Sequence, residues 1–216
     1  MEGPARITSP AETTGEDSRM HRVLIVDDEA DIRETVDMIL RYEKFETLLK
    51  VLRNAGLEGR FRYEWVSASE GQRFGEVVGQ FTDHIRSMGP SPVAGDEGLR
   101  FKLRSAQREV SDFRLRWLVG RQRQILEEGD AYGQERSREE WDAVMERVLR
   151  DEFIRAQIIE RTAQGPASVE EMAEVIGVDG TEVFRHVQRL RYKGKVAMAG
   201  HRDRSPLYRA TGVEVE

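Results

Sequence analysis

Hydrophobic and polar positions change period several times along the chain, and each change marks an element. Val23-Leu-Ile-Val26 is an unbroken apolar run closed by Asp27-Asp28-Glu29, the pattern of a buried parallel strand that delivers acids to its C-terminal edge. Ile32, Val36, Ile39 and Leu40 follow at helical spacing, and Phe45, Leu48, Leu49 and Leu52 predict a second amphipathic helix ended by Asn54-Ala-Gly56. Phe61-Arg-Tyr-Glu-Trp-Val66 alternates apolar and polar residues, which predicts a strand. Ser67-Ala-Ser-Glu70 has the form of a capping box opening a helix whose inward face is Phe74, Val77, Val78, Phe81 and Ile85.

Gly89-Pro-Ser-Pro-Val-Ala-Gly95 interrupts this pattern as a linker. Beyond it Leu99, Leu103, Ala106, Val110, Phe113 and Trp117 step by four and three, a heptad-like seam. Such a seam serves a homodimer, another subunit or, being under three heptads, packing within the chain. Gly129-Asp-Ala-Tyr-Gly133 is a turn, and Ser137-Arg-Glu-Glu140 is a further capping box. The helix it starts carries Trp141, Met145, Val148, Leu149, Phe153, Ala156 and Ile159 inward.

The last quarter has the plainest plan. Val169, Met172, Ala173 and Ile176 make a short helix stopped by Gly177, and Asp179 with Glu182 is a capping-box start for the next. Val183, Val187 and Leu190 are its buried stripe, with Arg185, His186, Gln188 and Arg189 on other faces. Val196-Ala-Met-Ala199, a polar tip Gly200–Pro206 and Leu207-Tyr-Arg209 predict a hairpin. Helix, tight turn, helix and basic hairpin resemble a winged helix-turn-helix domain. The expected architecture is therefore mostly helical α/β. Residues 1–20 form a leader without hydrophobic period, 21–90 a partial α/β unit, 91–96 the linker, 97–136 a helical connector and 137–213 the winged domain.

Composition narrows the chemistry. The 216 residues contain no cysteine, which removes disulfides, cysteine nucleophiles and thiolate-held clusters from this chain. Four histidines, at His21, His84, His186 and His201, are scattered without metal-ligand spacing, and no phosphate-cradling glycine loop occurs. Self-contained catalysis is not expected. No apolar run reaches a membrane span, and the N-terminus has no signal-peptide core, so the cytoplasm is the expected location. Net charge is −6. Against that sum, Arg185, Arg189, Arg191, Lys193, Lys195, Arg202, Arg204 and Arg209 concentrate positive charge in the last domain. Arg185, His186 and Arg189 would meet base edges of double-stranded DNA, and Lys193, Lys195, Arg202 and Arg204 its phosphates. The same face suits an acidic protein partner equally well.

Two further resemblances bear on function. The opening Val-Leu-Ile-Val-Asp-Asp-Glu-Ala-Asp-Ile-Arg-Glu-Thr is similar to the first strand and helix of a response-regulator receiver, which implies Mg²⁺ at Asp27 and Asp28. No aspartate stands between Asp37 and Asp83, where the phosphoacceptor of that family would fall. An ordinary strand–helix unit fits the same residues. Leu48-Leu-Lys-Val-Leu52, Arg62-Tyr-Glu-Trp-Val-Ser-Ala-Ser-Glu-Gly71, Phe74-Gly-Glu-Val-Val78 and Met88-Gly-Pro90 resemble the C-terminal end of the hydrogenase delta-subunit family. That family's [2Fe–2S] subunits pass electrons between a hydrogenase and heterodisulfide-reductase-type subunits. The resemblance implies docking onto other subunits through Trp65, Ser67, Ser69, Glu70 and Gly71, without the cluster, since the cysteines are absent. A redox-complex accessory is the first expectation, and a winged-helix transcriptional regulator with a degenerate receiver-like start is the alternative.

Overall fold

A computed structural model describes residues 32–212 apart from 63, 65 and 67–69, with side chains from residue 44 onward except at residue 58. The apolar run 23–26, Asp27 and Asp28 lie outside the described residues. The element order is α1 (Ile32–Ala55), α2 (Gly71–Met88), α3 (Glu97–Val110), α4 (Phe113–Glu128), α5 (Arg138–Ala163), α6 (Val169–Ile176), α7 (Gly180–Tyr192), β1 (Val196–Arg202) and β2 (Ser205–Ala210). Short 3-10 turns occupy Glu58–Arg60 and Pro92–Ala94. The architecture is mostly helical, with one antiparallel hairpin among the described residues.

Several expected boundaries move. The two helices anticipated before Gly56 are one, because Arg41-Tyr-Glu-Lys44 contains nothing that breaks a helix. Gly56, at φ 77°, ends it. The described residues of 61–66 form no strand, and no strand among the described residues lies beside them to take up the ladder. Their apolar side chains act as anchors instead. Phe61 stacks on Phe45 with centroids 6.1 Å apart, and Val66 is buried. Helix α2 begins at Gly71 with Glu70 before it and no side-chain cap from that residue, and Ser67, the start of the box expected at residues 67–70, lies outside the described residues.

The heptad-like seam is also interrupted. Ser111 Oγ donates to the Gln107 carbonyl, and Asp112 accepts from the Arg114 amide, which ends α3 and starts α4 within two residues. Both side chains compete with helix continuation. Of the six positions Ala106 is buried, Leu99 and Leu103 are half-buried and Val110, Phe113 and Trp117 are exposed, and they are divided between two helices instead of lying along one.

Two apolar cores share α5. One joins Val51 and Ala55 of α1, Ala106 of α3 and Leu115 of α4 to Trp141, Met145, Leu149 and Phe153. The other joins Ile154 and Ile158 to Met172, Val183, Val187, Leu190, Val196 and Tyr208. At about 100° per residue the two sets fall on nearly opposite sides of α5. Every residue from Glu152 to Ile158 is buried as a result. The expected inward set of α5 is buried except for Ile159, which is half-buried.

The C-terminal elements are strongly punctuated. Capping boxes close at Ser137–Glu140 and Ser168–Glu171, and Gly177 ends α6 at φ 77°. Asp179 caps α7 through the Thr181 amide, but Glu182 turns away to Arg150 and leaves the expected box open. The hairpin is tighter than its sequence suggests. Asp203 and Arg204, both at positive φ, make the whole turn, and strands run through Arg202 and Ser205. Ala167 and Tyr208 exchange two 2.9 Å backbone hydrogen bonds, fastening β2 to the start of α6.

Candidate interaction site

The first candidate face is the α1–α2 segment. Arg60 reaches from the 3-10 turn to the end of α2, donating to the carbonyls of Met88, Gly89 and Pro90 at 3.0–3.3 Å. A cation over otherwise unpaired terminal carbonyls also opposes the negative end of the helix dipole. His84 Nε2 lies 3.0 Å from the Gly59 carbonyl, and a Cβ on Gly59 would sit 3.1 Å from the Met88 methyl. This clasp fixes the far end of α2. Its near end is held by ion pairs of Arg73 with Glu64 and Glu70. Between these ends the apolar face is only partly covered. Val77 and Ile85 are buried, Val78 and Phe81 half-buried, and Phe74 is 36% and Met88 41% exposed.

Of the docking residues expected from sequence, Trp65, Ser67 and Ser69 lie outside the described residues. Glu70 is the residue before α2, and Gly71 is its first. Arg60 was not singled out by sequence. Its signal would have been a lone arginine just past a helix-ending glycine, which many surface arginines share.

The second candidate face is the C-terminal basic region, and the structure divides it. Arg185, Arg189, Lys193, Lys195 and Arg204 are exposed, with no acid partner among the described residues. Arg202 is paired with Glu171, which also accepts from the Ser168 amide. That backbone hydrogen bond, with Arg202 beside it, holds the Glu171 carboxyl below its ordinary range. His186 does not belong to the face. It is 8% exposed, with Nε2 3.8 Å from Asp151 Oδ1. Burial, with Arg155 nearby, pushes the imidazole pKa below its ordinary value. The reason is register: His186 is one residue from Val187 and turns toward α5, where it packs instead of reaching outward.

Sequence reading also missed the charged groups inside the molecule. Glu152, 4% exposed, accepts from Arg114 at 2.9 Å and from Arg155, which also pairs with Asp151. Glu109 is buried by the same helices. Desolvation, then the charge of Glu152, pushes its carboxyl up to about 8.

Comparison with known proteins finds a similarity that covers the first face. Residues 37–89, which run from within α1 to the clasp at Gly89, match the family of the methyl-viologen-reducing hydrogenase, delta subunit. A stretch of 48 residues is 46% identical to an iron-sulfur subunit of the F420-non-reducing hydrogenase of Archaeoglobus profundus. The stretch is 22% of this chain and 35% of that relative, so the chain spans about a third of the relative's length. No solved structure matches. The residues present do not fit an iron–sulfur cluster, because there is no cysteine to supply thiolate. Among the described residues no group of His, Asp or Glu is arranged to hold a metal ion, and no helix is long and apolar enough to cross a membrane.

Proposed function

We propose that this chain is a non-catalytic accessory of a hydrogenase/heterodisulfide-reductase-type electron-transfer complex, docking through the segment that ends in α2 and lacking an electron carrier of its own. The observation that supports it most is the family match over residues 37–89 falling on a helix clasped at its end with Phe74 and Met88 uncovered. Partly exposed aromatic and methionine side chains on a fixed helix are the usual anchors of a subunit interface. The preceding run Arg62–Gly71 would extend that interface. Residues 137–213 would add a winged-helix module. Purification of the tagged full chain from its native host tests the proposal. Hydrogenase or heterodisulfide-reductase-type subunits should be recovered with the wild type and depleted with Phe74→Glu. Recovery without any redox subunit would overturn it.

A second reading rests on the five exposed, acid-free cations of the C-terminal face. A winged-helix regulator would bind double-stranded DNA at low salt, with affinity falling steeply as salt rises. Arg185→Ala and Arg189→Ala would weaken that binding, while His186, being buried, would matter only through folding. Absence of any DNA binding at low salt removes this reading.

A further inference from the structure

An open groove of about 460 Å³ lies between α1 and α4, with Val110, the last residue of α3, also in its wall. Val51 and Leu115 in its lining are buried, Leu48 and Val119 are half-buried, and Val110 is 42% exposed. Its charged lining residues are Lys44 and Arg116. Both are exposed, and neither has an acid partner among the described residues. An apolar hollow edged by two unanswered cations suits an apolar occupant with acids directly beside it. The chain carries such a sequence itself: Val23-Leu-Ile-Val26 runs straight into Asp27-Asp28-Glu29, outside the described residues. A run of that kind needs cover.

Chain length decides whether the run can reach the groove. Helix α1 starts at Ile32, so Thr47 to Val51 lie about 22 to 29 Å along its axis and Lys44 about 18 Å. Val26 and Val23 precede Ile32 by six and nine residues, which span at most about 20 and 30 Å when extended. Asp27, at most about 17 Å from Ile32, comes level with Lys44. We infer that the groove is the seat of the chain's own residues 23–29, doubled back along α1. The apolar run covers the groove, and the acids that follow it answer Lys44 and Arg116. A segment tethered this closely has an effective concentration on the order of millimolar, so it fills the groove ahead of a second copy of the chain at micromolar concentration. The seat stands whether or not the chain docks onto a redox complex.

The chain has no cysteine, so introduced pairs report contact without background. Gly120 lines the groove, and a Cβ placed there meets nothing within 4 Å, so Gly120→Cys is sterically free. In the full chain, Gly120→Cys combined with Leu24→Cys or with Ile25→Cys should form a disulfide within one molecule under mild oxidation, in at least one of the two combinations. Either cysteine at 24 or 25 paired with Ser87→Cys, at the exposed end of α2, should cross-link far more slowly. Reversing the two cations, Lys44→Glu with Arg116→Glu, alters exposed positions only and should slow the groove disulfide by about threefold or more at low salt, an effect that fades as salt rises. The inference is overturned if neither combination with Gly120→Cys closes faster than the Ser87→Cys controls. Disulfides that form only between molecules would overturn it too, giving the groove to a second copy, and so would a groove disulfide indifferent to the charge reversal.

Discussion

The two cores that share α5 are built on different chemistry. The C-terminal one is edged by a single buried imidazole, His186, and its helices are delimited by Ser168, Gly177 and Asp179, each acting through a specific hydrogen bond or a left-handed turn. The N-terminal one is bordered by buried charge, with Glu109, Glu152 and Arg155 packed between α3 and α5. An apolar core with punctuated helices specifies itself from local pattern. A core edged with ion pairs depends on which distant arginine finds which acid, and local pattern does not encode that choice.

The sharpest way to break this contrast is to empty the apolar core. Met172→Ala should cost about 2–5 kcal/mol. Because α5 belongs to both cores, the loss should appear in the fluorescence of Trp141, which lies in the other one. A lowered helical signal with an unchanged Trp141 midpoint in denaturant would show that the cores unfold separately.

Next in size is the buried acid. The Glu109 carboxyl titrates near 8 in the folded chain and near 4.5 when unfolded, so the folded state keeps a proton that the unfolded state has lost. Stability attributable to this group is therefore full below about pH 4.5 and declines as pH rises toward 8, by on the order of a few kcal/mol in total. Glu109→Gln should flatten that slope and leave the variant more stable than wild type at alkaline pH. An unchanged slope in urea midpoints across this window would contradict the burial.

Caps come third. Ser168→Ala and Ser137→Ala should each cost about 1 kcal/mol in thermal or denaturant unfolding. Equal costs would show that punctuation works alike on both sides of α5. Least is expected from Arg202→Ala, which removes a mostly exposed pair with Glu171 and should change stability by about 0–1 kcal/mol. Its use is as a control, since it removes charge from the basic face without disturbing the core.

Legibility in sequence follows the same division. Val183, Val187, Leu190, Gly177 and the Ser137 box were readable because each signal is complete within a few residues. His186 was misplaced because a single position of rotation separates the outward arginines from the buried stripe, and a histidine tolerates either side. The strand expected at Phe61–Val66 shows the converse problem. Alternation states that one side is apolar, but a strand also needs a partner. The seam from Leu99 to Trp117 failed at Ser111–Asp112, where two side chains capable of capping outweighed the apolar spacing. Arg60, the Arg114–Glu152 pair and the Arg150–Glu182 pair join elements far apart in sequence and leave no periodic trace.

Helix α5 is 26 residues long, about 39 Å from end to end, with its two apolar sets on nearly opposite sides. It thus behaves as a keyed shaft, on which angular phase is stored in residue count. One alanine inserted after Arg150 would rotate everything beyond it by about 100° and swing Phe153 off the core it shares with α1, α3 and α4, although no side chain had been removed. Seven inserted residues, close to two full turns, would restore the angle while pushing the hairpin module about 10 Å further out. A chain joining two differently built halves through such a helix tolerates changes of length only in whole turns.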